Sequence, residues 1–150
     1  MREIYEISDR FIEAGDANGL LYEPLAGGLT YRRTRRYELE YEGEKAAMEA
    51  FVRKTLLDEI SQELHVGADP ALTGYGFALE YGMKPGALDL EKEAILSYYR
   101  GIPTPGFELK ELRIRQRIYL FGGKGDESGR FVRDLCNAAI HQWNVLPGHV

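Results

Sequence analysis

Two stretches, Tyr31 to Leu39 and Leu112 to Leu120, alternate in the same phase at an offset of 81 residues, and no other feature restricts the fold so much. Alternation puts successive side chains on opposite sides of a sheet. Tyr31, Tyr37 and Leu39 share one strand face, as do Leu112, Ile118 and Leu120. The opposite face carries Arg32 and Arg36 in the first stretch and Arg113 and Arg117 in the second. Arg33 and Arg35 fall on the apolar side, opposite Ile114 and Gln116 in the alignment. They mark the edge of the buried zone, with long stems lying over apolar neighbours.

The likeness extends beyond the strands. Phe51-Val52-Arg53 recurs as Phe131-Val132-Arg133 at an offset of 80, with Ile60 and Gln62 matching Ile140 and Gln142. Ala47, Met48, Phe51, Val52, Thr55 and Leu56 recur at helical spacing, after Glu42 and Glu44 that suit the positive end of a helix. Phe131, Val132, Leu135, Cys136 and Ala139 predict a second such stripe, with Asp126 or Ser128 as N-cap. Short strands are expected around Leu64 to Val66 and Trp143 to Leu146; their apolar positions do not keep the offset of 80, so either a one-residue shift intervenes or the likeness ends there.

The first elements differ more. Phe77, Leu79 and Tyr81 alternate as a strand, Lys84-Pro85-Gly86 turns the chain, and Asp89 caps a helix carrying Leu90, Ala94, Ile95 and Tyr98. In the first half Glu3 to Ile7 reads as a strand, but the glycines and Pro24 between Gly15 and Gly28 leave room only for a short or broken helix between Ser8 and Leu21. The expected organisation is a first repeat over 1–66, a linker over 67–74 and a second repeat over 75–150. Each repeat runs strand, helix, strand, helix, short strand. Neither buries much alone, so the two are expected to pack about a pseudo-two-fold axis as an α+β fold, antiparallel sheet on one side and helices on the other.

A chain of 150 residues with 44% hydrophobic and 29% charged residues is large enough for a core without staples. Lys+Arg 19 against Asp+Glu 24 leaves a formal charge of −5, which argues against binding duplex nucleic acid through overall field. Cys136 is alone and cannot close an intramolecular disulfide; the start lacks the layout of a signal peptide, and no apolar run approaches the roughly 20 residues that span a bilayer. A cytoplasmic protein without membrane or nucleic-acid partners is expected.

The chemistry-bearing residues are sparse. His65, His141 and His149 show no i, i+4 pair for a metal, and Cys136 lies on an apolar stripe. Gly122-Gly123-Lys124-Gly125-Asp126 precedes a helix, where amides can hold anions, but lacks the spacing and the Lys-Ser/Thr of a P-loop and reads as a hairpin-like turn. No acid-base pair, catalytic residue, metal site or cofactor site is identified. Arg32, Arg36, Arg113 and Arg117 stand out, because symmetric pairing of the repeats would bring them close together. They form either a docking surface for an acidic partner or a nucleotide phosphate, or a solvated face balanced by Glu38, Glu40 and Glu42. Ile102 to Phe107, with Pro103 and Pro105, is expected to form a rigid exposed loop suited to docking or mere connection.

Gly82-Met83-Lys84-Pro85-Gly86-Ala87-Leu88-Asp89-Leu90-Glu91, between strand and helix, resembles the opening of the PurS subunit of phosphoribosylformylglycinamidine (FGAM) synthase. Arg113 to Leu120 is similar to that family's second, basic-apolar strand, and Cys136 to Trp143 to its helix end, with Ala138 where the family often has Pro. Arg35 to Leu39 and Leu57 to Gln62 stand in equivalent places in the first half, which lacks the Pro-Gly-x-x-Asp opening. The resemblance implies two βαββα(β) PurS-like repeats, fused where the family has a homodimer. It also implies a non-catalytic role in de novo purine biosynthesis, as a complete subunit or the front of a longer synthetase, within an ATP- and glutamine-dependent C–N ligase complex. The implied partners are the synthetase and glutaminase subunits, bridged for ammonia transfer, and a homo-oligomer is compatible with it. The alternative is a regulatory module of paired α+β units that senses a small molecule at their interface.

Overall fold

In the computed structural model, which describes residues 1–25, 27–122 and 127–149, the chain builds one open antiparallel sheet with three α-helices. The elements run β1 (Arg2–Asp9), β2 (Gly15–Asp16), a 3-10 turn (Ala17–Leu20), β3 (Thr30–Gly43), α1 (Lys45–Thr55), β4 (Gln62–Val66), β5 (Tyr75–Met83), α2 (Leu90–Arg100), β6 (Phe107–Phe121), α3 (Ser128–Leu135) and β7 (His141–His149). The strands lie in the order β4-β1-β3-β6-β5-β7, with the short β2 added beside β3. The second half therefore reads β-α-β-α-β, and the first replaces its first helix by β2 and a single 3-10 turn.

The long ladder between β3 and β6 is the spine of the sheet. Its register pairs Tyr31 with Leu120 and Leu39 with Leu112, and sets Arg35 opposite Gln116, the residue 81 positions further on. Outward from that ladder the strands follow one scheme on both sides. Glu6 pairs with Arg36 and Glu80 with Arg117, so the two glutamates occupy matching places beside the two matching arginines. Ile7 pairs with Leu64 and Tyr81 with Trp143, which matches Trp143 to Leu64 rather than to Glu63.

One face of the sheet is dry. Met48, Phe51 and Val52 of α1 and Ile95 of α2 cover Tyr5, Tyr37, Leu39, Tyr41, Leu112 and Ile114. Phe131 of α3 and Ala17 of the 3-10 turn cover Phe77, Leu79, Ile118 and Leu120. Each cluster thus draws on both halves of the chain, so neither half closes its own core. Phe51 wedges against Tyr99 and Phe107, with ring centroids 5.9 and 5.5 Å apart. A bulge opposite Glu40/Tyr41, where Lys110 is the extra residue of β6, keeps Phe107 and Leu109 on the buried side with Leu112 and Ile114.

The local signals explain most of the helices. Asp89 accepts a hydrogen bond from the Lys92 amide and caps α2, after a turn in which Gly86 adopts φ +87°. Two expectations need correction. α3 ends at Leu135: Cys136 is already extended and Ala139 lies outside the helix, because the Asn137 side chain takes the Ala139 amide into a local turn. Ser128 is the first residue of α3 rather than its N-cap, the cap position being Glu127. Asp126 and the rest of Gly123 to Asp126 lie outside the described residues.

Candidate functional site: the charged sheet face

The second face of the sheet carries the arginines. Of the four singled out by sequence, Arg36 and Arg117 come together near the centre of the β3·β6 ladder. Arg32 and Arg113 do not join them. They pair with Tyr119 and Glu38, six positions apart along the ladder, which at ~3.4 Å per residue separates them by ~20 Å.

At the centre the charges neutralise one another. Arg117 donates from Nε to Glu80 at 2.8 Å and from Nη1 to Glu6 at 2.8 Å, and all three side chains are buried. Arg36 approaches Glu80 at 3.7 Å and Arg115 at 4.0 Å. Glu6 also accepts hydrogen bonds from the Thr34 hydroxyl at 2.6 Å, from the Tyr119 hydroxyl, and from the Ala71 amide at 3.1 Å. Ala71 belongs to the 67–74 connection, whose Leu72 packs with Tyr75, Ala78 and Tyr119 on this face. The connection between the halves therefore helps to exclude water from the charges.

Such a cluster is tolerable because it is satisfied. A buried carboxylate without partners carries a desolvation penalty that only hydrogen bonds and an opposite charge offset. Here burial acts to lower the Arg117 pKa, but Glu6, the Tyr119 hydroxyl and Glu80 outweigh it and hold the guanidinium firmly charged. Burial and the neighbouring Glu6 push the Tyr119 hydroxyl well above the usual tyrosine range. The phenol stays protonated and donates.

Arg117 is 5% exposed, and its Nε and Nη1 are taken up by Glu80, Glu6 and the Tyr119 hydroxyl. Arg32 donates to the Asp9 carbonyl and Arg113 to Glu111, and Arg113 remains exposed. Glu38 pairs with Arg2 and Glu42 with Lys110, so the expected neutralising carboxylates mostly serve other cations. Glu6 and Glu80 supply the central carboxylates, each placed by the strand register directly across from an arginine of β3 or β6. On the helix side, Arg35 pairs with Glu91 at 2.8 Å, and Glu91 also accepts from Tyr37, whose hydroxyl is pushed up to about 12 by burial and that carboxylate.

Several clefts border these elements, one of about 410 Å³ beside Arg32, Ala71 and Leu72 among them. A cleft of about 550 Å³ lies between the Met83–Asp89 turn and β6, with Lys92, Arg113 and Arg115 on its walls. Gly82 permits this packing, since a Cβ there would meet the Arg115 guanidinium at 2.7 Å. A second, of about 400 Å³, sits at the centre of the helix side between Ile7, Arg33, Arg35, Tyr37 and Gln116, residues of both halves. A smaller one, about 180 Å³, lies beside β2.

The remaining candidates fall into ordinary structural roles. His65 shares a hydrogen bond with Ser8 at 3.1 Å, and His141 Nδ1 accepts from the Asn137 amide. Burial raises the Cys136 thiol pKa, away from a reactive thiolate. Among the described residues no three His, Cys, Asp or Glu side chains gather as a metal site, and no helix is long and apolar enough to cross a membrane. The glycine stretch before α3 lies outside the described residues from Gly123 to Asp126. Compared with protein-family models, curated proteins and solved structures, the chain matches none.

Proposed function

We propose that this chain is a non-catalytic assembly element, made of two PurS-like repeats fused head to tail, that serves an FGAM synthase of purine biosynthesis. The repeats span 1–66 and 75–150, joined by the linker 67–74. One observation carries the reading: the strand order β4-β1-β3-β6-β5-β7, with Glu6 and Arg36 in one half standing where Glu80 and Arg117 stand in the other. A chain that has internalised its own two-fold contact can present two similar surfaces to two different enzymes. In this reading the central charges hold the halves in register, and the reachable arginines, Arg113 above all, take part in docking to the synthetase and glutaminase subunits. Neither nucleic acid nor a membrane is a partner, and the setting is cytoplasmic.

Co-purification from native extract tests the proposal. Under conditions that preserve glutamine and nucleotide binding, the tagged chain is expected to retain a glutaminase or a synthetase, and Arg113→Glu to weaken that retention. Recovery of neither enzyme overturns the assignment. The 400 Å³ cleft bordered by both halves favours a second reading, a small-molecule sensor. A saturating ligand raises the melting temperature by mass action, so a metabolite that stabilises the wild type but not Arg35→Ala, with no protein recovered, favours the sensor.

A further inference from the structure

The two edges of the sheet are built differently. β4 has five residues, includes Glu63, and is flanked by Asp58, Glu59 and Asp69, the kind of charged, short edge that resists pairing with another chain. β7 has nine residues, and no Asp, Glu, Lys or Arg occurs anywhere after Asp134 in a chain with 29% charged residues. Among the described residues its one strand partner is β5. Trp143 and Val145 remain 39% and 43% exposed beyond the reach of α3.

The orientation of its backbone follows from one hydrogen bond. The Lys84 amide donates to the Ile140 carbonyl at 2.7 Å, in the same register that pairs Gly82 with Gln142 and Glu80 with Asn144. Because hydrogen-bonded and non-hydrogen-bonded pairs alternate, the peptide groups of Gln142, Asn144 and Leu146 face β5 and those of His141, Trp143 and Val145 face outward. Pro147 falls in the outward set, so its missing N–H costs the β5 ladder nothing and limits the pairing of an added strand to the span before it.

We infer that the β7 edge binds β7 of a second copy, antiparallel about a two-fold axis at Asn144, extending the sheet across the dimer. In that register Trp143 of each copy exchanges both hydrogen bonds with Val145 of the other, and their side chains meet on the helix side. A second copy is the fitting occupant because an uncharged strand selects no charged partner, whereas its own apolar-polar alternation is self-complementary about Asn144. Elsewhere the net charge of −5 opposes self-association. The inference rests on the edge alone and is independent of the purine reading.

Light scattering and sedimentation of the full chain at micromolar concentration test it. The expected mass is twice 17.0 kDa, falling to 17.0 kDa in Trp143→Lys/Val145→Lys with unchanged far-ultraviolet circular dichroism. In a Cys136→Ser background, Asn144→Cys is expected to form a disulfide-linked dimer on mild oxidation, since it faces itself across the axis, and Gln142→Cys is not. A monomeric wild type, a dimer that survives the lysine pair, or equal cross-linking at both positions overturns the inference. So does a heterologous protein that binds the monomer and is lost with the same lysine pair.

Discussion

The two halves of the molecule solve the same packing problem with unequal means. In the second, a tight Lys84–Asp89 turn feeds a capped helix of 11 residues, α2, whose Ile95 and Tyr99 complete the cluster over Tyr37, Leu39 and Leu112. In the first, the corresponding connection wanders through β2 and one 3-10 turn, whose Ala17 and Leu21 complete the cluster over Ile118 and Leu120. The strand framework is indifferent to this exchange. What has to be kept is the shared ladder and the charges astride it, because these contacts run between the halves, while a helix above them can shrink if some other apolar group fills its place.

The inequality can be broken at the charges first. Arg117 contacts both Glu6 and Glu80 at 2.8 Å, whereas the matching Arg36 stands 3.7 Å from Glu80. Arg117→Met leaves two buried carboxylates without their cation and is expected to cost about 3–5 kcal/mol in urea unfolding, and Arg36→Met about 1 kcal/mol. Equal losses would mean that the halves share the load evenly. In the core, Phe51→Ala is expected to cost about 4 kcal/mol and Phe131→Ala about 3 kcal/mol, since the cluster under the 3-10 turn has more freedom to collapse around the cavity. Both variants should still unfold in a single transition, because each cluster contains residues of both halves.

Smaller effects sharpen the same contrast at the connections. Asp89→Ala removes the cap of α2 and is expected to cost about 1 kcal/mol, while Asp16→Ala, which caps a single turn through the Asn18 amide, costs roughly half of that. Asp134 tethers the irregular connection through the Tyr22 amide, and the hydrogen bond from Arg133, then that from Tyr22, lowers its pKa. A carboxyl with a depressed folded pKa stabilises above its unfolded value of about 3.9 and loses that contribution as pH falls through its folded pKa. The difference in urea midpoint between wild type and Asp134→Asn should therefore be largest near neutral pH and vanish in acid. A difference that is independent of pH would assign Asp134 no ionised role.

The strands were legible because alternation is a local signal: the in-phase arginines locate β3 and β6, and Asp89 after Lys84-Pro85-Gly86 locates the start of α2. The 3-10 turn could be read only as room for something short, since glycines report what cannot form rather than what does. The end of α3 was obscured by Ala138 and Ala139, which are good helix formers that the Asn137 side chain draws into a turn instead. The fate of Arg117 was the least legible. Whether a strand arginine is solvated or buried depends on Glu6, 111 positions away, and on Ala71 in the connection that covers it. No window along the sequence contains all three.

The claim on which the rest depends is that the halves act as one body because charges of the first lock onto those of the second. A double-mutant cycle on Glu6→Gln and Arg117→Met measures that contact directly. The expected coupling in unfolding free energy is at least about 2 kcal/mol, the double variant recovering much of what each single one loses. A coupling within about 0.5 kcal/mol of zero, the additivity seen for independent sites, would contradict it.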